Sequence, residues 1–371
     1  MRVLSTHFTM AENVMTTPAM NPSDKSTSDK STADMSTSEQ TARITASPLI
    51  SAETLHRAMS ILDSLRAEVG NAFIGQRAVV DEILIALLAG GHVLIEGVPG
   101  LGKTLLVQAL AQAIGGRYAR IQFTPDLMPA DVTGHTLYDP ASGQFTTRRG
   151  PVFANLLLAD EINRAPAKTQ AALLEVMQEG QVTIDGTPHR LEPPFMVLAT
   201  QNPVEQEGTY ALPEAQLDRF LIKVLIDYPA ANEETDIVRF ATGGRSDERL
   251  QLDGVRNILS IETLLKLRAL SAAVAVDERV LDYALRVVRA TRDFPGIAVG
   301  ASTRGAIAMV RGGRARALLN GRDFVTPDDI KQLATAALRH RILATPDYAI
   351  EGRSPDMLVR ELLETIEAPR L

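Results

Sequence analysis

Residues 97–104 carry the most specific chemical pattern in the chain. They read Gly-Val-Pro-Gly-Leu-Gly-Lys-Thr, which fits the G-x-x-x-x-G-K-[ST] pattern of a phosphate-binding loop. Glycines let the backbone turn tightly enough for its N–H groups to point at one anion, and Lys103 adds a positive charge. The hydroxyl of Thr104 suits Mg²⁺. The segment predicts a site for the phosphates of ATP or GTP. The candidate nucleotide-binding residues are Gly97, Val98, Pro99, Gly100, Leu101, Gly102, Lys103, Thr104 and Leu105.

An apolar strand that ends in two acids lies further along the chain. Residues 156–161 read Leu-Leu-Leu-Ala-Asp-Glu, and Asp160 follows Lys103 by 57 residues. In a sheet built around a phosphate-binding loop, the first acid reaches the Mg²⁺ shell, so Asp160 and Thr104 are the predicted metal ligands. Glu161 would then polarise a water for attack on the γ-phosphorus. A buried strand that runs into a polar turn is the competing interpretation, and the pairing with the loop disfavours it.

The elements that position these residues follow from the apolar pattern. Residues 93–96 read as a buried strand before the loop, and residues 103–114 read as a helix after it, whose positive dipole end would face the phosphates. Further strands are predicted at 118–123, 154–159, 195–200 and 220–226, and two helices at 52–69 and 77–88. Alternating strands and helices indicate a parallel α/β sheet.

The chain divides into three predicted parts. Residues 1–50 are rich in Ser, Thr and Asp, and we expect a disordered tail there, although the sequence leaves the true start codon open. Residues 51–228 are the predicted α/β domain. Residues 229–371 are the predicted all-helical lid domain, with helices at 260–273, 278–291, 302–319 and 327–339.

Composition excludes several classes of protein. The chain of 371 residues has 45% hydrophobic and 22% charged residues, no cysteine and a net charge of −7. Disulfides and zinc–thiolate sites are excluded, and the acidic balance argues against a general nucleic-acid binder. No apolar run reaches the length needed to span a bilayer, and the N-terminus lacks the pattern of a secretory signal. We therefore expect a cytoplasmic protein without membrane insertion.

Three further segments carry a family resemblance. Residues 160–165, 199–203 and 212–220 read Asp-Glu-Ile-Asn-Arg-Ala, Ala-Thr-Gln-Asn-Pro and Leu-Pro-Glu-Ala-Gln-Leu-Asp-Arg-Phe. Together with the loop they resemble the MoxR branch of the AAA+ ATPases over about residues 52–365, which implies a P-loop NTPase fold followed by a smaller lid.

The resemblance implies roles for residues outside the loop. Asn202 matches sensor 1, whose amide orients the attacking water or holds the γ-phosphate. Arg219 matches the arginine finger that a neighbouring subunit supplies, and Arg304 matches sensor 2 in the lid. Gly75 and Gln76 match the segment that packs near adenine. For Arg164, contact with a neighbour's nucleotide and a structural ion pair remain open. The implied catalytic set is Lys103, Glu161, Asn202, Arg219 and Arg304.

Two insertions are also similar to this branch. Residues 125–152 contain a turn signal between short strand-like pieces, and residues 180–191 read as a β-hairpin that turns at Asp185-Gly186. The resemblance implies loops that face a ring pore or a client, whereas plain surface decoration is the alternative.

The implied protein is an ATPase that uses ATP and Mg²⁺ and forms a homo-oligomeric ring, most simply a hexamer. The resemblance further implies chaperone-like activation of client proteins, including cofactor or metal insertion, with a von Willebrand A domain protein as a partner. A magnesium-chelatase-like motor subunit and a DNA-directed motor are the alternatives, although no nucleic-acid partner is expected. A non-catalytic nucleotide switch is disfavoured because Glu161, Asn202 and Arg219 occur together.

Overall fold

A parallel sheet of five strands carries the predicted loop and acids. In the computed structural model, which describes residues 50–141, 143–202, 209–242, 252 and 254–370, all five strands run in the same direction. Their order is β2 (Tyr118–Gln122), β5 (Leu156–Asp160), β8 (Met196–Gln201), β1 (Val93–Gly97) and β9 (Ile222–Ile226). The five predicted strands are confirmed, and their ends move by at most two residues. The predicted tail, apart from Ile50, and Pro203 of the resemblance lie outside the described residues.

The central strands are apolar on both faces because elements cover both faces of the sheet. Leu156, Leu157, Leu158 and Ala159 of β5 are fully buried, as are the first four residues of β8. Continuous apolar runs of this kind are typical of parallel strands, in contrast to the alternating pattern of half-exposed sheets. The carboxyl ends of the strands therefore form one edge, where the polar residues that follow each strand are brought together.

Seven helices between residues 50 and 242 come before, between and after these strands in the described part of the chain. They are α1 (Ala52–Ala72), α2 (Arg77–Ala89), α3 (Lys103–Ala113), α4 (Pro129–Thr133), α5 (Ala167–Glu179), α6 (Glu214–Leu217) and α7 (Ala231–Thr242). Ser51 begins α1 as its N-cap, with its hydroxyl accepting from the Thr54 N–H. The three predicted helices here, α1 to α3, are confirmed, and α1 extends three residues beyond its predicted end.

Both insertions form antiparallel hairpins. One consists of β3 (Gly134–Asp139) and β4 (Gln144–Arg149), and the other of β6 (Gln181–Ile184) and β7 (Thr187–Arg190). The second hairpin turns at Asp185 and Gly186, which have φ of +47° and +79°. Positive φ at both central residues is typical of the two-residue hairpin turn that matches the twist of the flanking strands. The hairpin that the Asp-Gly pair predicts is therefore confirmed.

The second domain contains the predicted helices and one element that the sequence did not indicate. Its helices are α8 (Ile261–Ala273), α9 (Glu278–Ala290), α10 (Thr303–Leu319), α11 (Pro327–Leu338), α12 (Pro346–Ile350) and α13 (Pro355–Thr365). The expectation of an all-helical domain needs correction, because β10 (Ile297–Val299) and β11 (Leu343–Ala344) pair antiparallel. Strands of three and two residues are too short to produce a periodic pattern.

The lid shares a hydrophobic core with the α/β domain. One continuous cluster of buried side chains includes residues of α1, α2, α3, the sheet, α8 to α11 and α13, and α10 packs against both α1 and α2. Two lid arginines also bond the last turn of α2, because Arg268 donates to Leu87 O at 2.7 Å and Arg311 donates to Gly90 O at 3.2 Å. A division at residues 228/229 remains a prediction. No helix in the described part of the chain is both long and apolar enough to cross a membrane.

His92 joins three elements at the amino end of the sheet. Its Nδ1 accepts from the Val197 N–H at 3.0 Å, and its Nε2 donates to Met177 O at 3.1 Å. Burial lowers the pKa of the imidazole to about 4, so the ring is neutral and this tautomer is fixed by its two backbone partners. His92 therefore has a structural role, since it links the start of β1 to α5 and β8.

Candidate active site

The loop between β1 and α3 has the conformation that its glycines predict. Gly100 and Gly102 have φ of +85° and +76°, in the left-handed region that favours glycine. A Cβ on Gly97 would lie 2.5 Å from Ile226 O, so only glycine fits there against β9. The loop is thus shaped by local backbone requirements, and Lys103 follows as the first residue of α3.

The N-terminus of α3 opens into a cavity of about 380 Å³. Gly102 caps the helix without a side-chain hydrogen bond, so the first N–H groups of α3 have no side-chain acceptor at the cap. The Lys103 ammonium donates to Gly97 O at 2.7 Å and lies across the loop. The cavity is lined by Pro99, Gly100, Gly102, Lys103, Thr104, Leu105, Arg120, Gln122, Asp160, Glu161 and Asn202.

The two acids are held by a hydroxyl from the neighbouring strand. The fully buried Thr200 of β8 donates from Oγ1 to Asp160 Oδ1 at 2.5 Å. The same oxygen accepts from the Glu161 N–H at 2.9 Å. Glu161 has φ of +55°, an uncommon left-handed conformation for a residue other than glycine, directly after β5. Thr200 therefore fixes the relative orientation of both acids.

Side chains of β2 contact the same acids. Arg120 donates to Asp160 Oδ2 at 2.7 Å, and Gln122 Nε2 donates to Glu161 Oε2 at 2.6 Å. Arg164 lies 3.2 Å from Glu161 Oε2, which makes the structural ion pair one of its roles in this chain. The Glu161 carboxylate is thus held by an amide and a guanidinium at the rim of the cavity.

Asn202 lines the loop cavity, and Gly75 lines a neighbouring one. Asn202 follows β8, is 6% exposed and lines the cavity with the acids. Gly75 lines an adjoining cavity of about 550 Å³ together with Phe73, whose ring would lie 3.4 Å from a Cβ on Gly102. Gln76 lines neither of these two cavities. It is the N-cap of α2 and has a left-handed φ of +47°.

Arg219 and Arg304 lie in a different cavity from the loop. This cavity, of about 270 Å³, is lined by both arginines together with Gly90, Gly91 and His92, which precede β1. It therefore lies at the amino edge of the sheet, whereas the loop lies at the carboxyl edge, roughly 15 Å away along a five-residue strand. One chain brings Lys103, Thr104, Asp160, Glu161 and Asn202 together, but it does not bring the two arginines to them.

The loop cavity contains both a positive group, Lys103, and negative groups, Asp160 and Glu161, so it suits an anion that is bound together with a cation. Burial lowers the pKa of Lys103, while the charges of Asp160, Glu161 and Glu96 oppose that shift. Glu96 is itself paired with Lys223, whose Nζ lies 2.5 Å from Glu96 Oε2. The positive charge of Lys103 and the N-terminus of α3 lie at the loop, and the carboxylates of Asp160 and Glu161 line the same cavity.

The residues present fit a nucleoside triphosphate with Mg²⁺. Apart from its two chain neighbours, no residue has an atom within 4 Å of the place where a Cβ on Gly100 would stand, and Gly100 lines the cavity, so there is open space beside the loop. Thr104 and Asp160 supply a hydroxyl and a carboxylate, the hard oxygen ligands that Mg²⁺ prefers. The uncapped N–H groups of α3 and Lys103 are donors for phosphate oxygens.

Four residues at these sites were not singled out in the sequence. Thr200, Arg120 and Gln122 belong to predicted strands, where alternation alone indicates only which face a side chain takes. A polar residue near the carboxyl end of an otherwise apolar central strand, such as Thr200, is the one available signal. Arg341 contacts the segment of Arg219 from 123 residues away, which no local pattern reveals.

Comparison with known proteins agrees with this arrangement. Residues 92–222 match the family described as ATPase family associated with various cellular activities (AAA), and residues 289–362 match the AAA lid domain. The fold and the site therefore define an AAA+ ATPase with its lid.

Relatives narrow the class further. The chain is 44% identical over 317 residues to the uncharacterized protein YeaC of Bacillus subtilis, covering 85% of this chain and 97% of that protein. It is 43% identical over 334 residues to the chaperone MoxR1 of Mycobacterium tuberculosis, and the match covers 88% of this chain and 87% of that protein. A crystal structure of a candidate ATPase from Cytophaga hutchinsonii is 41% identical, with a TM-score of 0.79, and covers 86% of this chain and 98% of that one. The chain belongs to the MoxR family of AAA+ ATPases. A magnesium-chelatase 38 kDa subunit from Acidiphilium rubrum is more distant, at 27% identity.

Proposed function

We propose that the chain hydrolyses ATP at sites that are each completed by a neighbouring subunit. The observation that supports this is the separation of two sets of residues within one chain. The loop and acids line one edge of the sheet, and Arg219 and Arg304 line the other. A second copy, placed with its amino edge against the carboxyl edge of the first, would bring both arginines to the first copy's cavity.

Each residue of the loop cavity has a role that follows from its chemistry. Lys103 and the N-terminal N–H groups of α3 would bind phosphate oxygens, and Thr104 and Asp160 would hold Mg²⁺. Bound Mg²⁺ would neutralise charge on the phosphates. Glu161 accepts a proton from the attacking water, and Thr200 holds its backbone in place. Asn202 lies beside the acids, where its amide orients the same water.

The arginines act on charge that develops during phosphoryl transfer. A guanidinium supplied by a neighbour at this stage is worth about 10³–10⁵ in rate in other phosphoryl-transfer enzymes. Arg219 is partly buried and Arg304 is exposed, so both are placed at a surface that a second copy covers. Arg304 therefore contacts the nucleotide bound to a neighbouring subunit. It does not contact the nucleotide bound to its own chain.

We further propose a ring, most simply a hexamer, that remodels client proteins in the cytoplasm. Support comes from the relative named as a chaperone and from two hairpins that extend from the sheet domain. The first hairpin exposes Tyr138 and Phe145, whose rings lie 5.1 Å apart. A von Willebrand A domain partner and metal or cofactor insertion stay proposals that rest on family resemblance.

Mixed rings test the shared site. Arg219→Ala subunits keep an intact loop but supply no finger, and Lys103→Ala subunits supply a finger but bind no nucleotide. Each variant alone should be nearly inactive, and their mixture should recover ATPase activity that depends on the mixing ratio. Arg360→Ala, an exposed lid arginine, is the control and should keep wild-type activity. A mixture as inactive as its two components at every ratio would contradict the shared site.

A further inference from the structure

Side chains of the lid donate hydrogen bonds to the backbone on both sides of Arg219. Arg341, after α11, donates from Nε to Asp218 Oδ1 at 2.7 Å. Its Nη2 donates to Asp218 O at 3.2 Å and to Phe220 O at 2.5 Å, and its Nη1 donates to Leu221 O at 3.0 Å. One guanidinium therefore holds residues 218–221, here the finger segment, through the carbonyl oxygens of Asp218, Phe220 and Leu221.

Arg341 has no donor left for another task. Its remaining Nη1 hydrogen goes to Ala337 O in α11, so all five N–H donors of the guanidinium are used. The side chain is only 3% exposed. His340, the preceding residue, is also buried and donates from Nε2 to Phe220 O at 3.1 Å. A lysine could supply at most three donors from a single point, so it could not reproduce this planar set.

The same segment is connected to Arg304. Ser302 donates from Oγ to Asp218 Oδ2 at 2.8 Å, and its Oγ accepts from the Arg304 N–H at 3.1 Å as the N-cap of α10. Both carboxylate oxygens of Asp218 thus bond to lid side chains. Arg219 and Arg304 are joined through Asp218 and Ser302, so their spacing is fixed by the lid.

We propose that Arg341 is a positioning residue that makes the lid and the finger segment one rigid unit, so that the lid sets how Arg219 and Arg304 meet the neighbour's ATP. This inference rests on the proposed function, because it assigns a role to Arg341 in catalysis at a shared site. The two ATP sites next to an altered subunit should therefore respond differently. Loss of Arg341 impairs the neighbour's site and leaves the subunit's own loop cavity intact.

The test uses Arg341→Gln in the full-length chain. A 1 Å displacement of a positioned group costs about 10²-fold in rate, so we expect kcat to fall about 10- to 100-fold. The Kd for a fluorescent ATP analogue should stay within about twofold of wild type, because Lys103 and Thr104 are untouched. Mixing with Lys103→Ala subunits, which carry an intact Arg341, should recover activity, whereas mixing with Arg219→Ala subunits should not.

A matched control separates positioning from general stabilisation of the lid. Arg339 lies two residues away, is 11% exposed and pairs with Asp356 at 3.0 Å within the lid. Arg339→Gln should lower the melting temperature without the drop in kcat. If Arg341→Gln does not fold, Ser302→Ala at the surface replaces it, with an expected two- to fivefold drop in kcat and the same rescue.

Two outcomes overturn the inference. One is a folded variant, Arg341→Gln or its replacement Ser302→Ala, with wild-type kcat; the other is a kcat defect that Lys103→Ala subunits do not rescue. Failure of the proposed function looks different. In that case wild type lacks ATPase activity, or Arg219→Ala is itself not rescued by Lys103→Ala subunits.

Discussion

Thr200→Val removes the one hydroxyl that holds both acids and changes little else. Valine has nearly the same shape as threonine, and the side chain is fully buried. The change deletes the 2.5 Å bond to Asp160 Oδ1 and the 2.9 Å bond from the Glu161 N–H. It therefore isolates the contribution of these two hydrogen bonds from that of packing.

The magnitude follows from the kinds of bond. A hydrogen bond to a charged group contributes about 1.5–3 kcal/mol and a neutral one about 0.5–1.5 kcal/mol, so we expect the free energy of unfolding to fall by about 2–4 kcal/mol. The left-handed backbone of Glu161 costs about 1–2 kcal/mol, and without the bond to Thr200 it can relax and displace the carboxylate. A displacement of about 1 Å lowers kcat about 100-fold.

The assay combines urea unfolding, ATP turnover and nucleotide binding on Thr200→Val and Thr200→Ser. Serine keeps the hydroxyl and loses only a methyl group, so it should keep kcat within a fewfold of wild type. Valine should lose turnover while its Kd for ATP stays near wild type, because the loop is unchanged. Equal turnover in wild type and Thr200→Val would refute the positioning argument, and so would equal loss in both variants.

Three further predictions address other parts of the molecule. Glu161→Gln should bind ATP and lose turnover by at least about 100-fold, because an amide cannot accept the proton of water; wild-type turnover would exclude Glu161 as the base. The pKa of His92 is about 4 when folded against 6.5 ordinarily, so the unfolded chain binds the extra proton and stability should fall by up to about 3 kcal/mol as pH drops from 6.5 to 4. His92→Gln should lack this part of the slope, as unfolding at several pH values will show. Gly312→Ala should destabilise by about 1–3 kcal/mol, since its Cβ would lie 2.1 Å from a Leu333 methyl, whereas Gly70→Ala in open space should stabilise by about 0.5–1 kcal/mol.

Local patterns were sufficient for the loop and the acids. Glycine spacing and the run of leucines before Asp160 each depend on a few neighbouring residues, and the structure places both as predicted. The strand order then brings Asn202 beside them, since β8 lies between β5 and β1. The positions of these residues can be predicted from the direction and order of the strands alone.

Contacts between distant segments could not be predicted. Arg341 bonds to Asp218 across 123 residues, and Arg120 bonds to Asp160 across 40. The positions of Arg219 and Arg304 at the amino edge depend on how the lid packs, and no periodic pattern encodes that packing. The short pair of β10 and β11 was missed for the related reason that its strands are paired across the lid.

The core shared by the lid and the first two helices has a consequence for biosynthesis. The apolar face of α2 is covered in part by α10, yet α2 ends at Ala89 and α10 begins at Thr303. At about 5–20 residues per second, a ribosome leaves that face uncovered for roughly 10–45 s. During that interval the apolar face of α2 is exposed on the nascent chain and is a site at which aggregation can start.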